Sequence, residues 1–303
     1  MTTGTRLVRG LAAALLLAAS LAAASPLPAA AGGSGATIYV HVATAANTTA
    51  NYTDLDNPVS NGHPDAIVFV TPVWNPGGVV AGAFDYHQVG VWWHAATGRW
   101  SIFNEDLATM PVGAAFDVYA LPTPLGSIFV HHATAANSAG DFTDLPSPDT
   151  NSQPAKQVIV TPVWNPGGAG GVYDRPPLGV WYNTGTARWS IFHEDLSAVT
   201  TNASFNVYPV IAAVHGLSLH TATAANTFGY YTCVDNVDLN GNPAGIAFST
   251  QNWNPGGAGG TYDNDVAALF YDGSRWCIWN ENGRTMTTGT AFNVLAVTGP
   301  IAP

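Results

Sequence analysis

The sequence predicts an all-β protein of three tandem, small antiparallel β-sandwich-like domains of about 85–90 residues each. Two observations lead there. Long words recur in fixed order at offsets of 90 and 89 residues. Between them lie short alternating or β-branched runs bounded by Gly, Pro and Asp turns, with helical spacing nowhere beyond the N-terminal segment.

The words mark the units. His41-Val-Ala-Thr-Ala-Ala-Asn47 returns at His131–Asn137 and His220–Asn226, and Trp74-Asn-Pro-Gly-Gly78 at Trp164–Gly168 and Trp253–Gly257. Arg99-Trp100, Arg188-Trp189 and Arg275-Trp276 each lead to an Ile and then a Glu. Each copy closes on Phe-x-Val, at Phe116, Phe205 and Phe292. The units are 37–121, 127–211 and 217–298, joined by short linkers at 122–126 and 212–216 that leave neighbours touching. A single threefold barrel is the competing architecture, but units this long exceed familiar blade repeats.

Within the first unit, Thr37–Thr44 alternates, with Ile38, Val40 and Val42 on one side and Tyr39, His41 and Ala43 on the other. Ala66–Trp74 is a β-branched run that ends in a Pro-Gly-Gly turn, and Gly90–His94, Trp100–Asn104 and Ala115–Ala120 follow as strands. The third unit shows the clearest hairpin. Asp272-Gly273 supplies the positive φ between Phe270-Tyr271 and Trp276–Trp279.

Residues 1–31 read as a secretory signal: Arg6 and Arg9, an apolar run over Leu11–Ala24, then small residues, with cleavage after Ala24 or Ala31 and the later site preferred. The run is shorter than the roughly 20 residues of a spanning helix, so the mature chain is expected to be secreted without membrane insertion. Charge narrows the partners. The chain has 8 Lys and Arg against 19 Asp and Glu, with Lys156 its one lysine, so it lacks the basic stripe that nucleic acid requires.

Export also decides how Cys233 and Cys277 are read. In an oxidising compartment a lone pair is expected to form a disulfide, which closes a loop worth about 4 kcal/mol. Two thiols without local partners make no zinc site.

The candidate ligand-binding residues follow the Trp-Asn-Pro-Gly-Gly word. Pro and Gly stiffen the turn, which would present Trp74 with Asn75, Trp164 with Asn165, and Trp253 with Asn254 at a loop. A ring beside an amide suits sugar, whose C–H faces stack on the ring while hydroxyls meet the amide. The competing reading puts these tryptophans in the cores. Asp85, Asp174 and Asp263, each after an aromatic residue, join the set as acceptors for sugar hydroxyls; a turn cap or a calcium ligand is the alternative.

Catalysis is not expected. Adjacent Glu105-Asp106 and Glu194-Asp195 would point to opposite strand faces, and the third copy has Glu281-Asn282. Arg99 with Glu105, Arg188 with Glu194, and Arg275 with Glu281 read as structural ion pairs or backbone clamps. His41, His131 and His220 have no nucleophile context and read as braces of a neighbouring loop, with Thr44 and Asn47 shaping the strand exit. No cofactor is implied.

Together these words resemble an uncharacterised repeat domain of secreted bacterial proteins, present here in three copies. The resemblance implies no activity. The third copy departs from it at Ala267–Phe270 and at Asn282. The expectation is a secreted, non-catalytic binding protein for carbohydrate or another extracellular surface component, with several sites gaining by avidity. The alternative is a structural or adhesive repeat protein that binds itself or a protein partner.

Overall fold

Each repeat folds into two antiparallel sheets laid face to face, because its strands turn one apolar side to a common interior. The computed structural model describes residues 30–31, 35–78, 82–210 and 216–297. The proposed signal segment lies outside them, apart from Ala30–Ala31. In the first unit an inner sheet runs β1 (Ala30–Ala31), β2 (Thr37–Val42), β8 (Ala115–Leu121), β5 (Ile67–Pro72). An outer sheet runs β3 (Thr48–Thr49), β4 (Tyr52–Asp54), β7 (Arg99–Asn104), β6 (Val89–His94).

The second unit repeats the pattern. Its inner strands are β9 (Phe129–His132), β15 (Ser204–Val210) and β12 (Gln157–Pro162), and its outer strands β10 (Ser138–Ala139), β11 (Phe142–Asp144), β14 (Arg188–His193) and β13 (Leu178–Asn183). In the third, β16 (Leu217–Thr221), β22 (Ala291–Val297) and β19 (Ile246–Asn252) are inner, and β17 (Thr227–Phe228), β18 (Tyr231–Cys233), β21 (Trp276–Asn280) and β20 (Ala267–Tyr271) are outer. Among the described residues no helix is long and apolar enough to cross a membrane.

Every unit keeps a core of its own between its two sheets. In the first, Trp100, Ile102, Val91, Phe116 and Val118 are buried there. Trp189 and Phe205 hold the same places in the second, Trp276 and Phe292 in the third. Each core tryptophan also donates its indole N–H to a carbonyl, of His63, Gln153 or Asn242, so its polar atom is not stranded.

The His-x-Ala-Thr-x-x-Asn word braces this core from one edge. His41, His131 and His220 each meet a threonine hydroxyl, of Thr53, Thr143 or Thr232, at 2.8 Å. The Asn47 carbonyl oxygen accepts the Thr44 amide at 2.6 Å, while its Nδ2 donates to the Val42 carbonyl at 3.1 Å.

A fourth apolar cluster belongs to no single unit. Strand β5 is buried along its whole length because its second face carries Ile67 and Phe69 into a centre shared with Tyr119, Ile159, Val210, Phe248 and Leu295. Phe69 stacks on Tyr119 at 6.0 Å between ring centroids, and Tyr119 meets Phe248 of the third unit at 6.2 Å. The three sandwiches therefore close around a pseudo-threefold axis: the modular and threefold architectures coexist.

Two circuits of hydrogen bonds run around that axis. The Val70 amide donates to Thr161 Oγ1 at 3.1 Å, Val160 to Thr250 at 3.0 Å, and Ser249 back to Thr71 at 3.1 Å. In the second circuit Asn206 donates to the Val68 carbonyl and Asn293 to that of Val158, while Asp117, at the equivalent place, accepts the Ala247 amide.

Of the two expectations for the Arg and Glu residues the ion pair is corrected, whereas the glutamates do clamp backbone, Glu105 at the Asp174 amide and Glu194 at the Asp263 amide. Arg99 lies on the outer face and meets Asp56 at 3.3 Å, whereas Glu105 is buried at a junction between units. The even spacing does keep both on the outward side, where a Cβ on Gly90 would strike Glu105 as well as Phe103, but six residues of extended chain, about 20 Å, hold them at opposite ends of β7.

Candidate functional site

The Trp-Asn-Pro-Gly-Gly word is a clasp between units. Asn165 donates its Nδ2–H to the Trp93 carbonyl at 3.0 Å and accepts the Trp93 amide at 2.6 Å. Asn254 holds Tyr182 in the same way, and Asn75 of the first unit holds Tyr271 of the third, which closes the ring. The second glycine of each word has positive φ, and a Cβ on Gly78, Gly168 or Gly257 would press on Tyr271, Trp93 or Tyr182. Short parallel pairings accompany each clasp, one residue pair at Val91 with Val163 and at Val73 with Leu269, and two at Gly179–Val180 with Gln251–Asn252.

This corrects the expected ligand set. Asn75, Asn165 and Asn254 are buried and give both ends of their amides to neighbouring backbone, so no sugar hydroxyl reaches them. Trp74, Trp164 and Trp253 are half-buried with their indole nitrogens turned inward, and only part of each ring meets solvent. Asp85, Asp174 and Asp263 are buried as well. Asp85 accepts from Asn104 at 3.0 Å, Asp263 from Asn280 at 3.1 Å, and Asp174 meets His193 at 3.0 Å and accepts from Thr200 at 2.8 Å. They fasten the Gly-rich segment to the end of the following outer strand.

The same seams bury the recurrent glutamates. Glu105 accepts the Asp174 amide at 3.1 Å and Glu194 the Asp263 amide at 3.2 Å, while Glu281 faces the Asp85 amide. Burial pushes Glu105 up to about 8, Asp85 to about 6 and Asp263 to about 7, and it carries Glu194 and Glu281 well above the carboxylate range. Room for these carboxyls explains Gly90 and Gly179, where a Cβ would strike Glu105 or Glu194.

Asp174, His193 and Ser197 stand in a line that looks like a hydrolase triad, with Nδ1 of His193 3.1 Å from Ser197 Oγ. His193, however, fills the slot of Asn104 and Asn280 and makes their two contacts, to the buried aspartate and to a carbonyl four residues on. It is a bracket. Among the described residues, three metal-type ligand atoms come together only at Cys233, Asp272 and Cys277, where both sulfurs are joined in a disulfide.

The outward face of each outer sheet is partly open to solvent: on the first, Tyr52, Asp54 and Trp92 are half-buried, while Ser101 and Phe103 are buried beneath their neighbours. Cross-strand register puts Tyr52, Phe103 and Gly90 in one row and Asp54, Ser101 and Trp92 in the next, all on the side away from the core. Trp164 of the next unit meets Trp92 edge-on at 6.4 Å, and Tyr173 covers Phe103 at 6.0 Å. The second face carries Phe142, Trp181, Trp253 and Tyr262 in the same arrangement. The third carries Tyr231, Phe270, Trp279 and Phe84.

The residues that sequence reasoning missed, Tyr52, Asp54, Trp92 and Ser101 with their counterparts, had a signal of their own. Tyr52-Thr-Asp-Leu55 recurs as Phe142-Thr-Asp-Leu145 and as Tyr231-Thr-Cys-Val234.

A closed ring of three β-sandwich modules, clasped by one repeated turn and aromatic on its outer faces, is the class of protein these features define. The chain belongs to the family described as Domain of unknown function (DUF7452), whose profile matches residues 30–120, 90–209 and 208–296. No curated protein and no solved structure matches it.

Proposed function

We propose that this is a secreted, non-catalytic binding protein that takes carbohydrate, or another component of an extracellular surface, on its outer faces. The observation that carries this reading is the row of part-exposed rings on each face, such as Tyr52, Trp92 and Tyr173, which flank hydrogen-bonding side chains. Rings held by sheet register and by a neighbouring unit lose little freedom on stacking against sugar C–H groups. The buried carboxyls are engaged in holding units together, which favours binding over hydrolysis. Because the faces lie on three sides of the axis, they suit linking separate chains better than gripping one flat surface. The charged, then apolar N-terminus and the disulfide support export.

An adhesive contact with a protein partner is the second reading. It is favoured by the third face, where Phe84 and Phe228 are each 54% exposed and Tyr230 is 44% exposed.

The test is retention of the intact protein on an array of polysaccharides, with Trp92→Ala and Trp181→Ala beside it. Both rings face outward, so each change should cut retention while melting moves by no more than a few degrees. Loss of retention only in step with unfolding would reject the reading.

A further inference from the structure

The three outer faces are alike in backbone and unlike in chemistry. We propose that only the first two are saccharide sites, and that each takes a neutral sugar through an aspartate beside a tryptophan, the aspartate held in place by a fully buried serine. This deepens the carbohydrate reading above and rests on it.

On the first face Asp54 Oδ1 accepts the Ser101 hydroxyl at 2.6 Å and meets His94 Nδ1 at 3.0 Å. On the second, Asp144 Oδ1 accepts Ser190 at 2.6 Å and Asn183 Nδ2 at 3.2 Å. Each serine lies directly across from the tryptophan, Ser101 from Trp92 and Ser190 from Trp181. A second ring stands edge-on, Tyr52 at 5.4 Å from Trp92 and Phe142 at 5.3 Å from Trp181. One carboxylate oxygen is thus held in place by two donors, and the other keeps its lone pairs for a sugar hydroxyl. The tryptophan supplies the flat apolar wall. Asp54 is half-buried and Asp144 buried, so the first site is the more accessible and the tighter of the two.

The third face has exchanged these parts. Cys233 and Cys277 stand at the positions of Asp54 and Ser101, bonded to each other, and Phe270 replaces the tryptophan. Phe228 and Tyr230 add apolar rings where the first unit has Thr49 and Asn51. The nearest carboxylate, Asp272, stands to one side with Oδ2 3.8 Å from Cys233 Sγ and Oδ1 taken by the Ser274 and Arg275 amides, so this face lacks the aspartate–serine pair that would set an acceptor beneath the ring. Charge selects the sugar. A chain with 19 acidic and 8 basic residues, and a carboxylate at the floor of each site, repels uronates and sulfated glycans.

The experiment arrays the intact protein against neutral hexasaccharides of the gluco, manno and N-acetylglucosamine series beside uronic-acid hexasaccharides, with calorimetry on whichever series is retained. Two sites per chain are expected. Asp54→Asn and Trp92→Phe should weaken one of them tenfold or more, Asp144→Asn and Trp181→Phe the other, while Phe270→Leu leaves both within twofold. Phe is the third unit's own residue at that position, so the Trp→Phe variants are expected to fold, and unchanged melting checks this. Three equivalent sites, equal loss with Phe270→Leu, or preference for uronates overturns the assignment and leaves the carbohydrate reading standing. Retention of no glycan at all overturns both.

Discussion

Asp117 accepts the Ala247 amide at 2.9 Å from the opposite side of the pseudo-threefold axis, at a place where the other two units carry Asn206 and Asn293. An asparagine there donates to a carbonyl of the preceding unit; a carboxylate cannot. Full burial therefore pushes Asp117 up to about 8.

Asp117→Asn should stabilise the protein. The folded pKa lies above the ordinary value near 4, so the native state binds a proton that the unfolded chain has lost, and stability falls as pH rises from about 4 to about 8. Asparagine removes that slope and supplies the missing donor. The gain should be about 1–3 kcal/mol at pH 8 and near zero at pH 4. Urea unfolding of both proteins at the two pH values measures it.

The seams carry the same sign. Glu105, Asp85 and Asp263 are raised to about 8, 6 and 7, and Glu194 and Glu281 are raised too, so each contributes stability at acid pH that is lost as pH rises through its folded value. His41, His131 and His220 are lowered to about 4 by burial and oppose this between about 4 and 6.5, where only the unfolded chain takes up the proton. Above that window the carboxyls act without them, and melting temperature should drop steadily from pH 6.5 to 9. Glu105 is faced by Asp174 and Arg175. Glu105→Gln keeps an oxygen for the Asp174 amide and should flatten part of the drop; an unchanged pH profile would count against a proton on Glu105.

Breaking a clasp should loosen the whole ring. Asn75→Ala strands the buried N–H and C=O of Tyr271, at a cost of about 2–4 kcal/mol by the penalty for two unmet groups. Asn165→Ala and Asn254→Ala should cost the same, because the geometry is equivalent. Removing the third unit leaves the shared apolar centre and two seams uncovered, so residues 1–211 should lose cooperative melting. Calorimetry of each variant reports both effects.

Thiol labelling of the denatured, unreduced protein should find no free cysteine, since Cys233 and Cys277 are paired across β18 and β21. The double change Cys233→Asp with Cys277→Ser restores the pair present in the other units. It should fold under reducing conditions and lose up to about 4 kcal/mol of loop-closure stabilisation relative to the oxidised protein. A stoichiometric label on the untreated chain would contradict the bridge.

Repeats, strands and turns were legible because they are written within a few residues of one another. Alternation marked β2, a β-branched run marked β5, Asp272-Gly273 marked a hairpin, and two cysteines in a chain read as exported marked their bond. The candidate site was not legible in the same way. A stiff Trp-Asn-Pro-Gly-Gly loop is read as facing solvent, and only the closed ring puts Tyr271 within reach of Asn75, 196 residues away in sequence.

The sequence by itself therefore determined the module, its number and its all-β character, since periodicity and turn chemistry act locally. Tertiary structure alone decided which polar groups are exposed. Strand β5 hides a second apolar face that no single unit can cover, so the units close on one another. That closure buries the amides and carboxyls that looked like ligands, and it leaves the outer sheets, with Trp92 and Asp54, to meet what lies outside.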